Sequence, residues 1–148
     1  MNVPAPFDTV PLSGSSKLLG WKILEMDTAK GEITIGFEGR REFCNPVGFV
    51  QGGMLIAMMD DTIGPAIFAH SNGTKMTSSI DIHAHFLRPV APGAITVKAR
   101  VVRIGKTAAF AEADLFDAEG RLSARATSSA LMVDFGPRPE SSGKAADA

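Results

Sequence analysis

The stretch that decides the fold is NPVGFVQGGMLIAMMDDTIGPAIFA, residues 45–69. It opens with turn-forming residues and a pair of glycines, and it then becomes a long apolar run that carries two acids, Asp60 and Asp61. A run of this length, rich in Met, Leu, Ile and Ala, predicts a helix that is apolar on nearly all sides. A helix with that pattern is expected to be buried.

The two acids of this helix need an explanation, because few charged side chains are buried without a reason. A helical wheel at about 100° per residue places Asp60 beside Ile56 and Ile63. A buried carboxylate without partners is costly, so Asp60 is either held in a hydrogen-bonded network or takes part in chemistry. Asp61 falls on another face, near Phe68, where it could be a polar group at a subunit interface. The helix alone leaves these interpretations open.

Length and composition restrict the class of protein. The chain has 148 residues, of which 45% are hydrophobic and 21% are charged, as in a soluble globular protein of one domain. Fifteen basic residues against sixteen acidic ones give a net charge of -1. This balance offers no general attraction to nucleic acid or to an anionic membrane, so an anionic ligand must be held by a local cluster of cations.

The cysteine content and the two ends of the chain suggest where in the cell the protein is found. A single cysteine, Cys44, excludes an internal disulfide framework and favours a reducing, cytoplasmic setting. The N-terminus lacks the pattern of a secretory signal. No membrane span is expected, because Asp60, Asp61 and Pro65 interrupt the apolar run. The tail at 136–148, rich in Pro, Ser and Ala, is expected to be disordered.

The remaining segments predict an antiparallel sheet. Period-two alternation or turn placement predicts strands at 21–26, 32–38, 78–86, 95–104, 108–116 and 122–133. The clearest alternation is in 78–86, where one face carries Ile80, Ile82, Ala84 and Phe86. The simplest arrangement is a single sheet that curls around the one apolar helix, in an α+β domain at 1–135 with an N-terminal extension at 1–14.

A motif at the start of the helix resembles a known family. Asn45-x-x-Gly48-x-x-Gln51-Gly52-Gly53, with Asp60 nine residues after Gln51, resembles the pattern N-x-x-G-x-x-H-G-G of PaaI-like hotdog-fold thioesterases, the 4-hydroxybenzoyl-CoA thioesterase-related branch. In that pattern, a catalytic Asp or Glu follows after six more residues. The likeness extends through the LRP turn at 87–89 and the RxGK turn at 103–106. It implies a hotdog fold, in which a curled antiparallel sheet wraps around one long central helix.

The resemblance implies a catalytic set, carried over residue by residue: Asn45, Gln51, Gly52, Asp60 and Ser79. Asp60 would be a general base for water or a nucleophile that forms a mixed anhydride, and Ser79 would lie near it. Asn45 would hold the water or the acyl carbonyl. Gln51 replaces the family's His, and it can form hydrogen bonds but cannot take a proton at neutral pH.

The spacing of Gly52 and Asp60 along the helix limits how the two can act together. Free N–H groups at the helix N-terminus, made accessible by Gly52 and Gly53, could stabilise a developing oxyanion. Alternatively, the two glycines only allow a tight entry into the helix. Asp60 lies ~13 Å further along the helix, too far to act on the same atom as Gly52 of its own chain. The resemblance therefore implies a dimer in which Asp60 of one protomer faces Gly52 of the other.

A second set of residues is implied to bind the coenzyme A part of the substrate: Asp81, Arg88, Pro89, Arg103, Gly105, Lys106 and Thr107. The three cations would hold phosphates, although each could also be a solvated surface charge. No cofactor or metal is expected, because His83 and His85 lack a third ligand at a useful spacing. Cys44 has no paired His that would make it a nucleophile.

Three functions were compared on these residues. The preferred one is an acyl-CoA thioesterase, active as a homodimer or as a homotetramer built from two dimers. Its acyl group would be aromatic or medium-chain, packed against Met54, Met58 and Met59. A non-catalytic acyl-CoA-binding protein is the alternative that Gln51 favours. A hydratase acting on enoyl thioesters generally needs a catalytic His near the helix, which this chain lacks. The presence of Asp60 favours hydrolysis.

Overall fold

The computed structural model describes residues 3–136. Its elements, in chain order, are α1 (Gly14–Leu19), β1 (Lys22–Asp27), β2 (Glu32–Gly39), α2 (Gly52–His70), β3 (Lys75–Phe86), β4 (Gly93–Ile104), β5 (Ala108–Phe116) and β6 (Leu122–Asp134). Short 3-10 turns at Phe7–Thr9 and Arg41–Phe43 complete the set. The tail predicted to be disordered lies outside the described residues, apart from Gly136.

All six strands pair antiparallel in one sheet of order β1-β2-β4-β5-β6-β3. The sheet curls around α2, and the predicted hotdog architecture is confirmed. Strand β5 spans the predicted residues, and the predicted meander is formed by β4, β5 and β6. Among the helices of the described part, none combines the length and the apolar character needed to cross a bilayer.

Small side chains on the inner face of the sheet make room for the helix. Residues that alternate along β5 and β6 are buried, and most of them are alanines: Ala109, Ala111, Ala113, Ala124, Ala126 and Ala130. Bulkier side chains of α2 fill the space above them, among them Met58, Met59, Ile63 and Ile67. Because close packing requires large residues to face small ones, this alternation fixes how deeply α2 lies in the sheet.

The helix is not buried on all sides, and that prediction is wrong for the protomer. Leu55, Met58 and Ile63 face the core, whereas Asp60 is exposed. Asp61 is half-buried instead. The outward face of α2 is also apolar, so its hydrophobic pattern did not reveal which side meets the sheet.

Strand β3 lies at one edge of the sheet and is irregular. It begins at Lys75, three residues before the predicted start, and its pairing with β6 shifts register between Ser79 and Asp81. The extra residue is Ile80, which is 58% exposed, whereas Ile82 and Ala84, predicted to share its face, are half-buried. A bulge of this kind bends an edge strand and re-aims its side chains. Ser79, just before the bulge, points toward α2 and reaches Asp60.

Candidate active site

Two cavities flank α2, one at its N-terminus and one near its middle. The first, called the amide cleft, has a volume of about 490 Å³ and is lined by Asn45, Val47, Phe49, Val50, Gly52, Leu55, Phe86, Leu87, Arg88, Pro89 and Val90. The second, called the acid chamber, has a volume of about 460 Å³. Its lining includes Phe7, Val10, Pro11, Leu12, Trp21, Asp60, Asp61, Gly64, Pro65, Phe68, Met76, Thr77 and Ser79. The predicted catalytic residues are divided between them.

Asn45 organises the loop that borders the amide cleft. Its side-chain Oδ1 accepts hydrogen bonds from the backbone N–H groups of Val47, Gly48 and Phe49, at 3.0, 3.1 and 3.2 Å. Gly48 has a φ of 99°, a conformation that side chains rarely adopt. Because the Oδ1 atom is engaged by the loop, the Nδ2 group is the part of Asn45 left to meet a substrate. The predicted role of Asn45 in holding water or a carbonyl stays a prediction.

The loop is held beside the turn that follows β3. The Val50 N–H donates to the carbonyl oxygen of Val90 at 2.8 Å, and the Gln51 N–H donates to that of Phe43 at 2.9 Å. These bonds bring the exposed Arg88 and Pro89 to the mouth of the cleft. The cleft therefore combines backbone donors with one guanidinium group.

Gln51 is the N-cap residue of α2, and its side chain makes no capping hydrogen bond. Its carbonyl oxygen accepts from the N–H groups of Met54 and Leu55. The N–H groups of Gly52 and Gly53 precede these and have no intrahelical acceptor. They lie at the positive end of the helix dipole, where a developing negative charge is stabilised.

The two glycines are under different constraints. A Cβ added at Gly52 would lie 3.1 Å from the Phe86 ring, whereas one added at Gly53 would meet nothing within 4 Å. Gly52 is therefore the position where the backbone is in close contact with the cleft wall. A substrate carbonyl reaching its N–H would also pass beside Phe86.

Asp60 and Ser79 meet in the acid chamber. The Ser79 hydroxyl donates to the Asp60 carboxylate at 2.9 Å, which orients one carboxylate oxygen and leaves the other for a substrate or water. Asp60 comes from the middle of α2, and Ser79 comes from the edge strand. The predicted proximity of the two residues is present in the protomer, and their catalytic roles stay predictions.

Asp61 is the more buried of the two acids. Its Oδ2 atom is buried and has no hydrogen-bond partner within residues 3–136, and its backbone oxygen accepts from Trp21 Nε1 at 3.0 Å. Burial raises the pKa of Asp61, a hydrogen bond from Ser16 opposes that rise, and the nearby charge of Asp60 adds to it. The buried environment that the sequence predicts for Asp60 is thus found at Asp61.

The predicted coenzyme A residues fall at opposite ends of β3. Arg88 and Pro89 line the amide cleft, after Phe86. The other group, Arg103, Gly105, Lys106 and Thr107, is exposed at the β4–β5 turn. Thr107 accepts a hydrogen bond from the Met132 N–H at 2.8 Å, and Met132 pairs with Thr77 of the acid chamber. Ser79 of the acid chamber and Phe86 of the amide cleft are seven residues apart on β3, and the bulge at Ile80 shortens that span, so they lie roughly 20 Å apart along the strand.

Asp81 lies between these ends and lines neither of the two cavities. Its carboxylate accepts hydrogen bonds from the Ser129 hydroxyl at 2.8 Å and from the Ser129 N–H at 2.9 Å. These bonds lower the pKa of Asp81. They also tie β3 to β6 just after the bulge, so Asp81 has a clear structural task whether or not it also meets a ligand.

The walls of the acid chamber were not identified from the sequence. Met58 and Met59, expected to line the acyl pocket, are fully buried against the sheet, and neither they nor Met54 line either cavity. That prediction is wrong, because the methionines lie on the core side of α2. The chamber is walled by the N-terminal extension together with Trp21 and Phe68. Apolar residues scattered among the prolines of the extension were the available signal.

The histidine pair and the cysteine lie outside the linings of both cavities. His83 and His85 are exposed on β3 with their Nε2 atoms 3.2 Å apart. Over residues 3–136, no group of three or more His, Cys, Asp or Glu side chains is arranged to hold a metal ion. The half-buried Cys44 donates to the Arg40 carbonyl at 3.7 Å.

In chemical terms, the cleft supplies N–H donors and a cation, and the chamber supplies a carboxylate within apolar walls. Donors of this kind stabilise an oxyanion, and a carboxylate activates or delivers a nucleophile. A reaction at a carbonyl carbon needs both at one atom. One protomer holds them in separate cavities.

Comparison with known proteins gives a consistent result. A family model described as the thioesterase superfamily matches residues 47–124, which include Gly52, Asp60 and Ser79. Acyl-coenzyme A thioesterase 13 of Homo sapiens is 29% identical over 111 residues, which are 74% of this chain and 78% of the human protein.

Solved structures share the architecture over most of the chain. The crystal structure of a phenylacetic acid degradation-related protein from Ralstonia eutropha JMP134 superposes with a TM-score of 0.78 at 31% identity, covering 82% of this chain and 92% of that one. The PaaI protein of Escherichia coli, from the phenylacetic acid degradation operon, has a TM-score of 0.74 at 20% identity and covers 82% and 85% of the two chains. At that identity, the second likeness concerns the fold alone.

Proposed function

The chain belongs to the thioesterase superfamily and is a thioester hydrolase, and we propose that its substrates are acyl-CoA thioesters, hydrolysed to a free acid and CoA. In this proposal Asp60 of one protomer acts on a carbonyl whose oxygen is bound by the Gly52 N–H of a partner. The division of the two groups between separate cavities is the observation that carries the proposal. If two copies pack so that the amide cleft of one faces the acid chamber of the other, the Gly52 N–H and the Asp60 carboxylate would meet in one site.

The chemistry assigns a task to each group. The Gly52 N–H would hold the thioester carbonyl oxygen, which becomes negatively charged as the carbonyl carbon is attacked. Asp60, oriented by Ser79, would take a proton from the attacking water, and the carbon–sulfur bond would break to release the CoA thiolate, which then regains a proton. If Asp60 attacks directly, a mixed anhydride forms first and water hydrolyses it. Both routes use the same two groups.

Pairing of two copies is also supported by the edge strand and by the cations. β3 is one of the two edge strands of the sheet, and the free edge of a strand can pair with another chain. In a symmetric pair, Arg88 at one protomer's cleft would come near Arg103 and Lys106 at the chamber end of the other. The three cations divided between the ends of β3 would then serve one CoA. A homodimer, or a homotetramer of two such dimers, would contain complete sites.

The acyl group is proposed to be aromatic or medium-chain. The acid chamber supports this choice through the rings of Phe7, Trp21 and Phe68, which replace the methionine wall expected from the sequence. The cytoplasmic location favoured by the single cysteine stays a prediction.

A non-catalytic acyl-CoA-binding protein is the second candidate, and Gln51 is the observation that favours it. Its exposed side chain stands at the helix N-terminus, where the family has a His. A protein that had lost turnover could keep both cavities and bind the same esters. Asp60 and its bond from Ser79 favour hydrolysis over this alternative.

The test is release of free thiol from a panel of acyl-CoA esters by the purified protein and by its Asp60→Asn variant. Loss of a general base or nucleophile is expected to reduce kcat by about 10³-fold or more, while the affinity for the ester is kept. Equilibrium binding of the same esters, measured for both proteins, separates lost chemistry from lost folding. Tight binding without turnover by the unaltered protein would favour the binding function instead.

A further inference from the structure

We propose that the N-terminal segment, residues 3–13, is the wall that determines acyl specificity by limiting the length of the group that fits beside Asp60. This inference rests on the proposed function. The segment lies before the first strand and outside the region matched by the family model, residues 47–124.

The segment is attached firmly enough to act as a wall. The Phe7 ring packs between those of Trp21 and Phe68, with centroid distances of 5.8 and 5.2 Å. Pro6 packs over Gly73, where an added Cβ would lie only 2.8 Å from the proline ring. At the other end, Ser13 caps α1 by accepting a hydrogen bond from the Ser16 N–H at 3.1 Å. The residues between these anchors are therefore fixed at both ends.

Those intermediate residues form part of the wall of the acid chamber. Val10, Pro11 and Leu12 line the same cavity as Asp60 and Ser79. Leu12 is 39% exposed, so its side chain stands at the boundary between the chamber and solvent. An acyl group whose carbonyl carbon is near Asp60 has to extend into this enclosed space. A chain that is too long would meet the segment or displace it.

The lining also selects by charge. Within residues 3–136, the side chains that line the chamber include two acids, Asp60 and Asp61, and no Lys or Arg. An acyl group ending in a second carboxylate would be repelled there and would leave water without a compensating cation. The substrate class that fits is a compact, uncharged acyl group, with an aromatic or branched end able to pack against Phe7 and Trp21.

The chain contains a built-in reporter for this space. Trp21 is its only tryptophan, and it has no tyrosine, so intrinsic fluorescence comes from the chamber wall. The probes are non-hydrolysable S-alkyl-CoA thioethers of increasing alkyl length, with CoA alone as the reference. Alkyl groups that enter the chamber are expected to change the Trp21 emission, and CoA alone is not. Binding of the thioethers with no change in emission would overturn the proposal.

Specificity is tested with Leu12→Ala and with Leu18→Ala as the matched control. Leu18 is 52% exposed on α1 and lies outside the lining of the chamber. For the acyl-CoA ester just longer than the preferred one, kcat/KM is expected to rise by about tenfold in Leu12→Ala and to stay unchanged in Leu18→Ala. The melting temperature of each variant checks that it is folded. An unchanged length profile in folded Leu12→Ala would overturn the inference.

Failure of the proposed function gives a different pattern. If no protein releases thiol, hydrolysis is refuted, and the thioether affinities still decide the role of the segment. In that case, tighter binding of the longer thioethers to Leu12→Ala than to Leu18→Ala supports the wall, and equal binding refutes it.

Discussion

The amide cleft and the acid chamber are built from different parts of the chain. The cleft presents backbone N–H groups of a helix end, shaped by a loop that Asn45 organises. The chamber presents the side chains of Asp60 and Ser79 within apolar walls from the N-terminal segment. In the proposed mechanism, each cavity holds one half of what hydrolysis requires. On that proposal, the protomer is one complete fold with two incomplete sites.

The difference also sets how each cavity can be altered. In the chamber the proposed catalytic group is a side chain, the Asp60 carboxylate, and an ordinary substitution removes it. In the cleft the proposed group is a backbone N–H, that of Gly52, so most substitutions of Gly52 leave the donor in place. A backbone donor is deleted only by proline, which lacks the N–H group.

The largest effect is expected from Gly52→Pro. Gly52 is the first residue of α2, where proline is tolerated, and Gln51 before it has the extended backbone, φ -60° and ψ 139°, that proline requires. The variant therefore keeps the helix and removes one donor. Loss of one oxyanion donor is expected to reduce kcat by about 10²–10³-fold, as measured by thiol release.

Gly52→Ala is the matched control for this change. It introduces a Cβ at the same 3.1 Å distance from the Phe86 ring but keeps the N–H group. Its kcat is expected to lie much closer to that of the unaltered protein. If alanine and proline reduce kcat equally, the cleft contributes shape and not a hydrogen bond. The proposed role of the Gly52 N–H as a donor is then refuted.

A smaller effect, on stability, is expected in the chamber from Asp61→Asn. The pKa of Asp61 is raised above its ordinary 3.8, mainly by burial. A carboxyl of this kind favours folding below its unfolded pKa, and that contribution is lost as the pH rises through its higher folded pKa. Near neutral pH the ionised group therefore opposes folding, and the variant is expected to melt a few degrees higher than the unaltered protein.

This gain should shrink as the pH falls and should vanish below 3.8, where the carboxyl becomes protonated in both the folded and the unfolded state. Thermal melting across that range measures it, with Asp8→Asn at an exposed position as the reference. A lower melting temperature at neutral pH would mean that the assembled protein supplies a partner for the Asp61 carboxylate. The chamber would then be a polar interface and not an apolar pocket.

Most of the sheet could be predicted from the sequence, because β2, β4, β5 and β6 bury one face and expose the other. In β5, Ala109, Ala111, Ala113 and Leu115 alternate with exposed or half-buried residues, and the strand spans the predicted residues. Period two carries this information directly. At β3 the pattern was less informative, because Ile82 and Ala84 are half-buried but Phe86 and Ile80 are exposed, and Ile80 is the extra residue of a bulge that local pattern does not reveal.

The helix was predictable in type but not in orientation. Apolar residues occupy both its core side and its outward side, so its hydrophobic pattern could not show whether Asp60 or Asp61 is buried. Only the packing of Met58 and Met59 against the sheet decides it. The chamber wall was missed for a related reason, because prolines in residues 3–13 break any periodic pattern.

The motif indicated the chemistry of the site better than its geometry. Asp60 and Ser79 were expected to be neighbours and are in contact. The coenzyme A residues were treated as one set, yet Arg88 lines the cleft, whereas Arg103 and Lys106 are exposed at the β4–β5 turn. The distance between them depends on how far β3 extends and on how the sheet places the β4–β5 turn, and neither can be read from the motif.

The central claim is that a working site takes its acid from one protomer and its amide from the other. The most direct test is a heterodimer of Asp60→Asn with Gly52→Pro, isolated through two different affinity tags and assayed for thiol release. Each parent homodimer is expected to be nearly inactive, whereas the heterodimer contains one intact site and should show about half of the unaltered rate per dimer. A heterodimer as inactive as its parents would contradict the claim, because every site would then contain one of the two changes.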